Sequence, residues 1–213
     1  MAPSRTLLRV VARCCARPPP DEAEAHAAVA SRTPEGAYQL RYGGAKLSCD
    51  EALAEAWESE RFPYTSLRLP DVYGVYDNLG GFFESFVDPI LAGRPVATLV
   101  PPERVRPRGQ PAGAAPKMSW VYAPDVVSAV LAAHAAGAAA YGEVFHVAHV
   151  ARVTVADMAE VVAKVANATA VLDETAVAAM PQHDVGPVAV HKALLALDWR
   201  PTPLRDAVRA VVA

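Results

Sequence analysis

A chain of 213 residues that is 53% hydrophobic and 20% charged has enough apolar surface for a substantial core, so a disordered or fibrous polymer is excluded. A net charge of −3 and a pI near 6.1 supply no field to gather polyanions, which argues against nucleic acid or an anionic membrane surface as a partner. The three cysteines, Cys14, Cys15 and Cys49, have neither the spacing of a zinc site nor the density of a disulfide framework, and they fit a reducing, cytoplasmic compartment.

In chain order, the first segment admits two readings. Arg5, Arg9, Arg13 and Arg17 recur every fourth residue with no acidic residue before Asp21, as in an organellar transit helix. Alternatively, residues 6–13, with Leu7, Leu8, Val10 and Val11, form a short buried strand. Pro18-Pro19-Pro20 and the acidic, alanine-rich stretch to Ala30 read as an exposed connection. The spacing then predicts a helix over 42–60, with Leu47, Leu53 and Trp57 available for a buried face, ended by Arg61-Phe62-Pro63.

A strand over 64–69 must stop at Pro70, which cannot donate to a ladder. A helix over 82–92 and a strand over 96–100 follow, and 101–116, with five prolines, reads as a surface loop. Next come a strand over 120–122, an alanine-rich helix over 125–137 opened by an acidic residue, and a strand over 143–148. Thr154 caps a helix over 155–166, with Asp157 at its third position. Charges or prolines interrupt every apolar run before the roughly 20 residues of a membrane span, so none is expected. Helix and strand in alternation predict a layered α/β architecture. Trp57, Trp120 and Trp199 read as packing residues.

The residues that carry chemistry begin with Tyr42 and Lys46. On a helix they stand one turn apart on one face, which brings an ammonium near a phenol. A phenol ordinarily ionises near pH 10 and must be made more acidic by about 4 kcal/mol to exchange protons near neutrality; a fixed cation works in that direction. Alone the pair is a weak signal, equally compatible with two polar residues on a solvated face.

Its surroundings make it specific. Tyr42-Gly-Gly-Ala-Lys46-Leu47 is followed by Tyr64-Thr-Ser-Leu-Arg-Leu-Pro-Asp-Val-Tyr-Gly74, then Gly93-Arg-Pro-Val96, Trp120-Val-Tyr-Ala-Pro-Asp-Val126, Gly142-Glu-Val-Phe-His146 and Ala196-Leu-Asp-Trp-Arg-Pro201. In that order these segments resemble the C-terminal portion of extended short-chain dehydrogenases, the NAD-dependent epimerase/dehydratase family, over about residues 37–210. The resemblance implies a partial Rossmann-like parallel sheet with flanking helices and a small substrate-binding lobe. It places the end of the core in 1–74, with the lobe interleaved with returning core elements in 75–213. It implies NAD or NADP as cofactor and a small-molecule substrate, a sugar nucleotide among the candidates. Tyr42 and Lys46 would be catalytic, Lys46 also binding the ribose, and the backbone of Pro70, Asp71 and Val72 would meet the nicotinamide. A homodimer is compatible with it.

Several positions depart from the family pattern. No Gly-x-Gly-x-x-Gly cluster, the backbone cradle for a pyrophosphate, occurs in the sequence. The chain is therefore expected to lack the dinucleotide-binding half, and a non-catalytic relative serving as a binding or scaffolding module is the alternative function. The family's Ser/Thr that polarises the substrate oxygen falls by register at Cys14 or Cys15, with Ser31 as the other candidate; a thiol is the weaker donor. Met118 stands where sugar-nucleotide enzymes often place arginine, and Pro124 replaces the first of two acidic residues. His146 and His149, without neighbouring acidic or cysteine ligands in sequence, read as structural polar residues rather than metal ligands. The adjacent cysteines read as unsuited to pairing with each other.

Overall fold

The computed structural model describes residues 34–75, 77, 81–99, 117–177 and 188–213. The two N-terminal readings, Cys14, Cys15, Ser31 and the loop over 101–116 lie outside the described residues. The chain divides into two compact units, one containing the described residues up to Ser66 with Ala140–Val144, the other Leu67–Ala139 with Phe145–Ala213.

The first unit is dominated by α1, Pro34–Glu60. Proline suits the opening position because the N–H it lacks would have no intrahelical partner. Gly44, Ser48, Ala52 and Ala56, spaced by four, are the buried residues of this helix among those described. The expected face differs: Leu47 is 41% exposed, and Leu53 and Trp57 are only half-buried. Small side chains occupy the buried stripe, and the large ones flank it. Arg61 ends the helix in a left-handed conformation (φ 51°), where glycine is usual. Its N–H donates to the Trp57 carbonyl at 3.1 Å and that of Phe62 to the Ala56 carbonyl at 3.2 Å, the two bonds that close a helix C-terminus. The guanidinium sits over the Trp57 ring, 5.4 Å from its centroid, which offsets part of the left-handed cost.

β1, Thr65–Arg68, pairs with β5, Glu143–His146. In the first unit Gly142 N–H donates to the Tyr64 carbonyl at 2.8 Å, Thr65 Oγ1 to the Ala140 carbonyl at 2.7 Å and Ser66 Oγ to Asp50 Oδ1 at 2.8 Å.

In the second unit, β2, Asp71–Tyr73, runs parallel to β4, Trp120–Tyr122, with Tyr73 opposite Tyr122. A π-helical turn, Phe83–Val87, leads into α2, Asp88–Leu91, where the sequence predicts one regular helix. β3, Val96–Leu99, runs parallel to β6, Leu172–Val177, with a register shift between Ala97 and Leu99. The irregularity has a local cause: the Asp173 carboxylate accepts from Thr175 N–H, Thr175 Oγ1 and Ala176 N–H, an Asx-type turn inside the strand. These bonds hold the Asp173 carboxyl below its ordinary range.

α3, Ala123–Ala136, continues into a 3-10 turn, Gly137–Ala140. Together they are, among the described residues, the one helix long and apolar enough to cross a membrane by length and composition, with Pro124 and Asp125 at its start. α4, Val155–Ala166, carries a full capping box, Thr154 Oγ1 accepting from Asp157 N–H at 3.0 Å and the Asp157 carboxylate from Thr154 N–H at 2.9 Å. α5, His191–Ala196, and α6, Leu204–Val212, complete the unit.

One core joins β2, β3, β4, the π-helical turn, α2, α4 and α6. Tyr73, Phe82, Phe86 and Trp120 pack ring on ring, with Trp120 edge-on to the other three at 5.9 to 6.2 Å. Val155, Met158, Ala159 and Val162 of α4 and Ala207, Val208 and Val211 of α6 close over them. Each large side chain fully buried there stabilises by about 1.5–3 kcal/mol. The α/β class with parallel strand pairs and flanking helices is the one expected from the sequence.

Candidate functional site

Tyr42 and Lys46 lie on α1 with the geometry the spacing requires. The ammonium of Lys46 is 5.3 Å from the centroid of the Tyr42 ring, and both side chains are exposed, Tyr42 to 51%. Gly43, between them, has open space where a side chain would stand. A ligand hydroxyl approaching this face could therefore reach the phenol and the ammonium together.

A second tyrosine of this unit, Tyr64, is set the opposite way. Burial first, then the carboxylates of Asp50, Glu143 and Glu58, push its pKa up. A phenol made less acidic is unsuited to proton exchange near neutrality.

Pro70, Asp71 and Val72 belong to the second unit. Pro70 stands between β1 and β2; Asp71 and Val72 are the exposed residues of β2, and Tyr73 beside them is fully buried. The strand thus anchors itself through Tyr73 and presents the two preceding residues outward. Gly74, directly after, is confined: a Cβ there would meet the Ala123 Cβ at 3.1 Å.

Sequence reading has no means of pairing Tyr73 with His149, 76 residues apart. The Tyr73 hydroxyl is 2.7 Å from His149 Nε2, and both groups are buried. Around them, the buried Asp125 carboxylate accepts from Thr202 N–H at 2.9 Å and Thr202 Oγ1 at 2.6 Å. Trp199 Nε1 donates to the Asp125 carbonyl and to Ser128 Oγ, at 3.1 and 2.9 Å. Burial, then Asp125 and Tyr122, raises the Tyr73 pKa far above the tyrosine range, so its hydroxyl stays protonated. Burial lowers that of His149, against opposing contributions from Asp125 and a hydrogen bond to the Thr202 backbone.

His146, on β5, is half-buried; its pKa is lowered by burial, then by the charges of Arg68 and Lys192. Lys192 sits 5.0 Å from the Phe145 ring centroid. Among the described residues no three His, Cys, Asp or Glu side chains gather as metal ligands would.

Comparison with known proteins follows the same lines. A family model described as "NAD dependent epimerase/dehydratase family" matches residues 13–148. UDP-glucuronic acid 4-epimerase from Bacillus cereus, solved with UDP-glucuronic acid and NAD, is similar at 19% identity and a TM-score of 0.63, covering 80% of this chain and 51% of that one. UDP-glucose 4-epimerase from Thermus thermophilus, solved with NAD, is similar at 21% identity and a TM-score of 0.60, covering 80% and 52%. UDP-glucose 4-epimerase from Thermotoga maritima, solved with UDP-glucose, is similar at 22% identity and a TM-score of 0.60, covering 80% and 52%. At these identities the likeness establishes the Rossmann-like fold, and the chain spans about half the length of the solved structures it matches. A search of curated protein sequences gives no significant match.

Proposed function

This chain belongs to the NAD dependent epimerase/dehydratase family, and from that premise we propose that it serves an NAD(P)-dependent, epimerase-like reaction at a hydroxyl-bearing carbon of a small molecule, with a sugar nucleotide as the substrate class. The observation that carries this reading is the Tyr42–Lys46 pair: two exposed side chains one helical turn apart, ammonium 5.3 Å from the phenol ring, inside the segment that the family model matches. The substrate class is supported by the UDP-sugars named for similar structures.

The residues fit the nicotinamide end of such a cofactor, since Lys46 offers a cationic donor to a ribose hydroxyl and Tyr42 a phenol beside it. The cofactor supplies a hydride acceptor and donor. Tyr42, as phenolate, takes the proton from the substrate hydroxyl as the hydrogen on the same carbon leaves as hydride, so that a carbonyl forms; returning both reverses the step. Lys46, 5.3 Å from the ring centroid, is the cation that would stabilise the oxygen of Tyr42 in that exchange.

Calorimetric titration of the 213-residue chain with NAD⁺, NADH, NADP⁺ and NADPH tests the reading. Saturable binding of one pair, weakened at least about tenfold (about 1.4 kcal/mol) in Lys46→Met, is the expected result. Binding of none of the four would overturn it in favour of a non-catalytic binding module.

A further inference from the structure

The face of α1 that carries Tyr42 and Lys46 continues, one turn further on, to Asp50. Along it the side chains pass from solvent toward the interior: Tyr42 is 51% exposed, Lys46 is exposed and Asp50 is half-buried. The Asp50 carboxylate accepts from Ser66 Oγ of β1 at 2.8 Å, a contact within the first unit. Tyr64, two residues before Ser66, feels the same carboxylate: burial first, then the charge of Asp50 with those of Glu143 and Glu58, makes it less acidic. The negative charge at 50 is therefore held on the side of α1 that faces the start of β1.

By sequence alone Lys46 and Asp50, opposite in charge and four apart, are the pair a helix brings together. The structure divides them. A long side chain on a helix leans toward the N-terminus, and the Lys46 ammonium follows that rule back to the Tyr42 ring, 5.3 Å from its centroid. Asp50 turns to Ser66 instead. Magnitudes favour this arrangement: a hydroxyl bond to a half-buried carboxylate outweighs an exposed ion pair between neighbouring turns, which is weak and weaker still with the lysine N-terminal to the acid.

We propose that Asp50 is a positioning residue of the Tyr42–Lys46 site, in which Ser66 holds the carboxylate against β1 and so leaves the Lys46 ammonium to the phenol. Asp50 acts through Lys46. A carboxylate at 50 that Ser66 did not hold would draw the ammonium toward the helix C-terminus, away from Tyr42, and neutralise the cation that the proton exchange needs. The use of this arrangement rests on the acid–base chemistry proposed above. The arrangement itself is a property of the first unit and is tested without cofactor or substrate.

The test is NMR of the full chain, with the Cε protons of Lys46 as the reporter. Over the face of an aromatic ring they are shifted upfield, and Tyr42→Leu gives their position without the ring. The expected result in Ser66→Ala is loss of most of that ring shift, as the ammonium leaves Tyr42 for Asp50. When Asp50→Asn is added to Ser66→Ala the shift returns, because the amide has no charge to draw Lys46 away. A bond that merely fastened α1 to β1 would be lost in both variants alike. An unchanged shift in Ser66→Ala, or an equal loss in the double variant, would overturn the proposal. If Ser66→Ala does not fold, Asp50→Glu decides it: the longer acid overshoots Ser66 and reaches Lys46, so the ring shift must fall, and an unmoved resonance refutes the role. Nucleotide titration stands apart from these outcomes: the expected ring shifts in a chain that binds no cofactor would remove the proposed reaction and keep the positioning, and cofactor binding without them would do the reverse.

Discussion

A Cβ placed on Gly142 would stand 2.6 Å from Nε1 and 2.7 Å from Cε2 of Trp57. The indole, which also carries the Arg61 guanidinium 5.4 Å from its ring centroid, fills the space any side chain at 142 would need. Gly142 also has φ 76°, where residues with a Cβ are strained by about 1–2 kcal/mol. Gly142→Ala is therefore expected to lower the stability of the chain by about 3 kcal/mol in urea denaturation, strain and overpacking adding. A loss below about 1 kcal/mol would mean that Trp57 swings away freely.

Asp125 offers a contrast between buried and exposed carboxylates. Asp125→Ala leaves two Thr202 donors without an acceptor and is expected to cost about 3 kcal/mol. Asp206→Ala removes only the exposed pair with Arg209, at 2.7 Å on α6, and is expected to cost at most about 0.5 kcal/mol. Equal losses for the two variants in thermal unfolding would contradict the burial argument.

Thr154→Ala opens one half of the capping box of α4 and should destabilise by about 1 kcal/mol. Asp157→Ala opens the other half, and the double variant should lose less than the sum of the two. Strict additivity by chemical denaturation would show that the two bonds act independently.

Tyr42→Phe deletes the hydroxyl and leaves an exposed ring, so folding should be unchanged by circular dichroism. If the proposed chemistry holds, turnover falls by about 10²–10⁴-fold, the usual size of a general acid–base contribution. Wild-type turnover in this variant would remove Tyr42 from the reaction.

His146 has its pKa lowered first by burial and then by Arg68 and Lys192. Its contribution to stability is whole above about pH 6.5 and declines as pH falls below that, because only the unfolded chain takes up the proton readily. Lys192→Gln removes one of the opposing charges, so the His146 pKa should rise in a proton NMR titration. A fall would show that the Phe145 stacking of Lys192, and not its charge, governs the site.

The helix bearing Tyr42 and Lys46 is legible in the sequence because propensity, spacing and the Phe62-Pro63 stop agree; its start at Pro34 is not, because glycines and a polar stretch dilute the pattern. β2 escapes sequence reading for a physical reason: three residues after a proline, with only Tyr73 buried, carry no periodicity. β6 is hidden by Asp173 and Glu174, residues that disfavour strands, one of which makes a turn within it. α5 is six residues long with Ala193 its buried residue, too short to show a helical period. The Tyr73–His149 contact depends wholly on tertiary placement, and no local rule reads a hydrogen bond across 76 residues.

The π-helical turn at Phe83–Val87 holds one residue more than a regular turn would. It lets Phe82, Phe86, Val87 and Ile90 all reach the interior while Glu84, Asp88 and Leu91 stay outside. A chain with a single residue deleted in this turn would close it to ordinary helical pitch and keep Phe82 and Ile90 inward. The segment is thus a natural point for length variation, where a one-residue gap would alter the lining of the core without breaking the helix that follows.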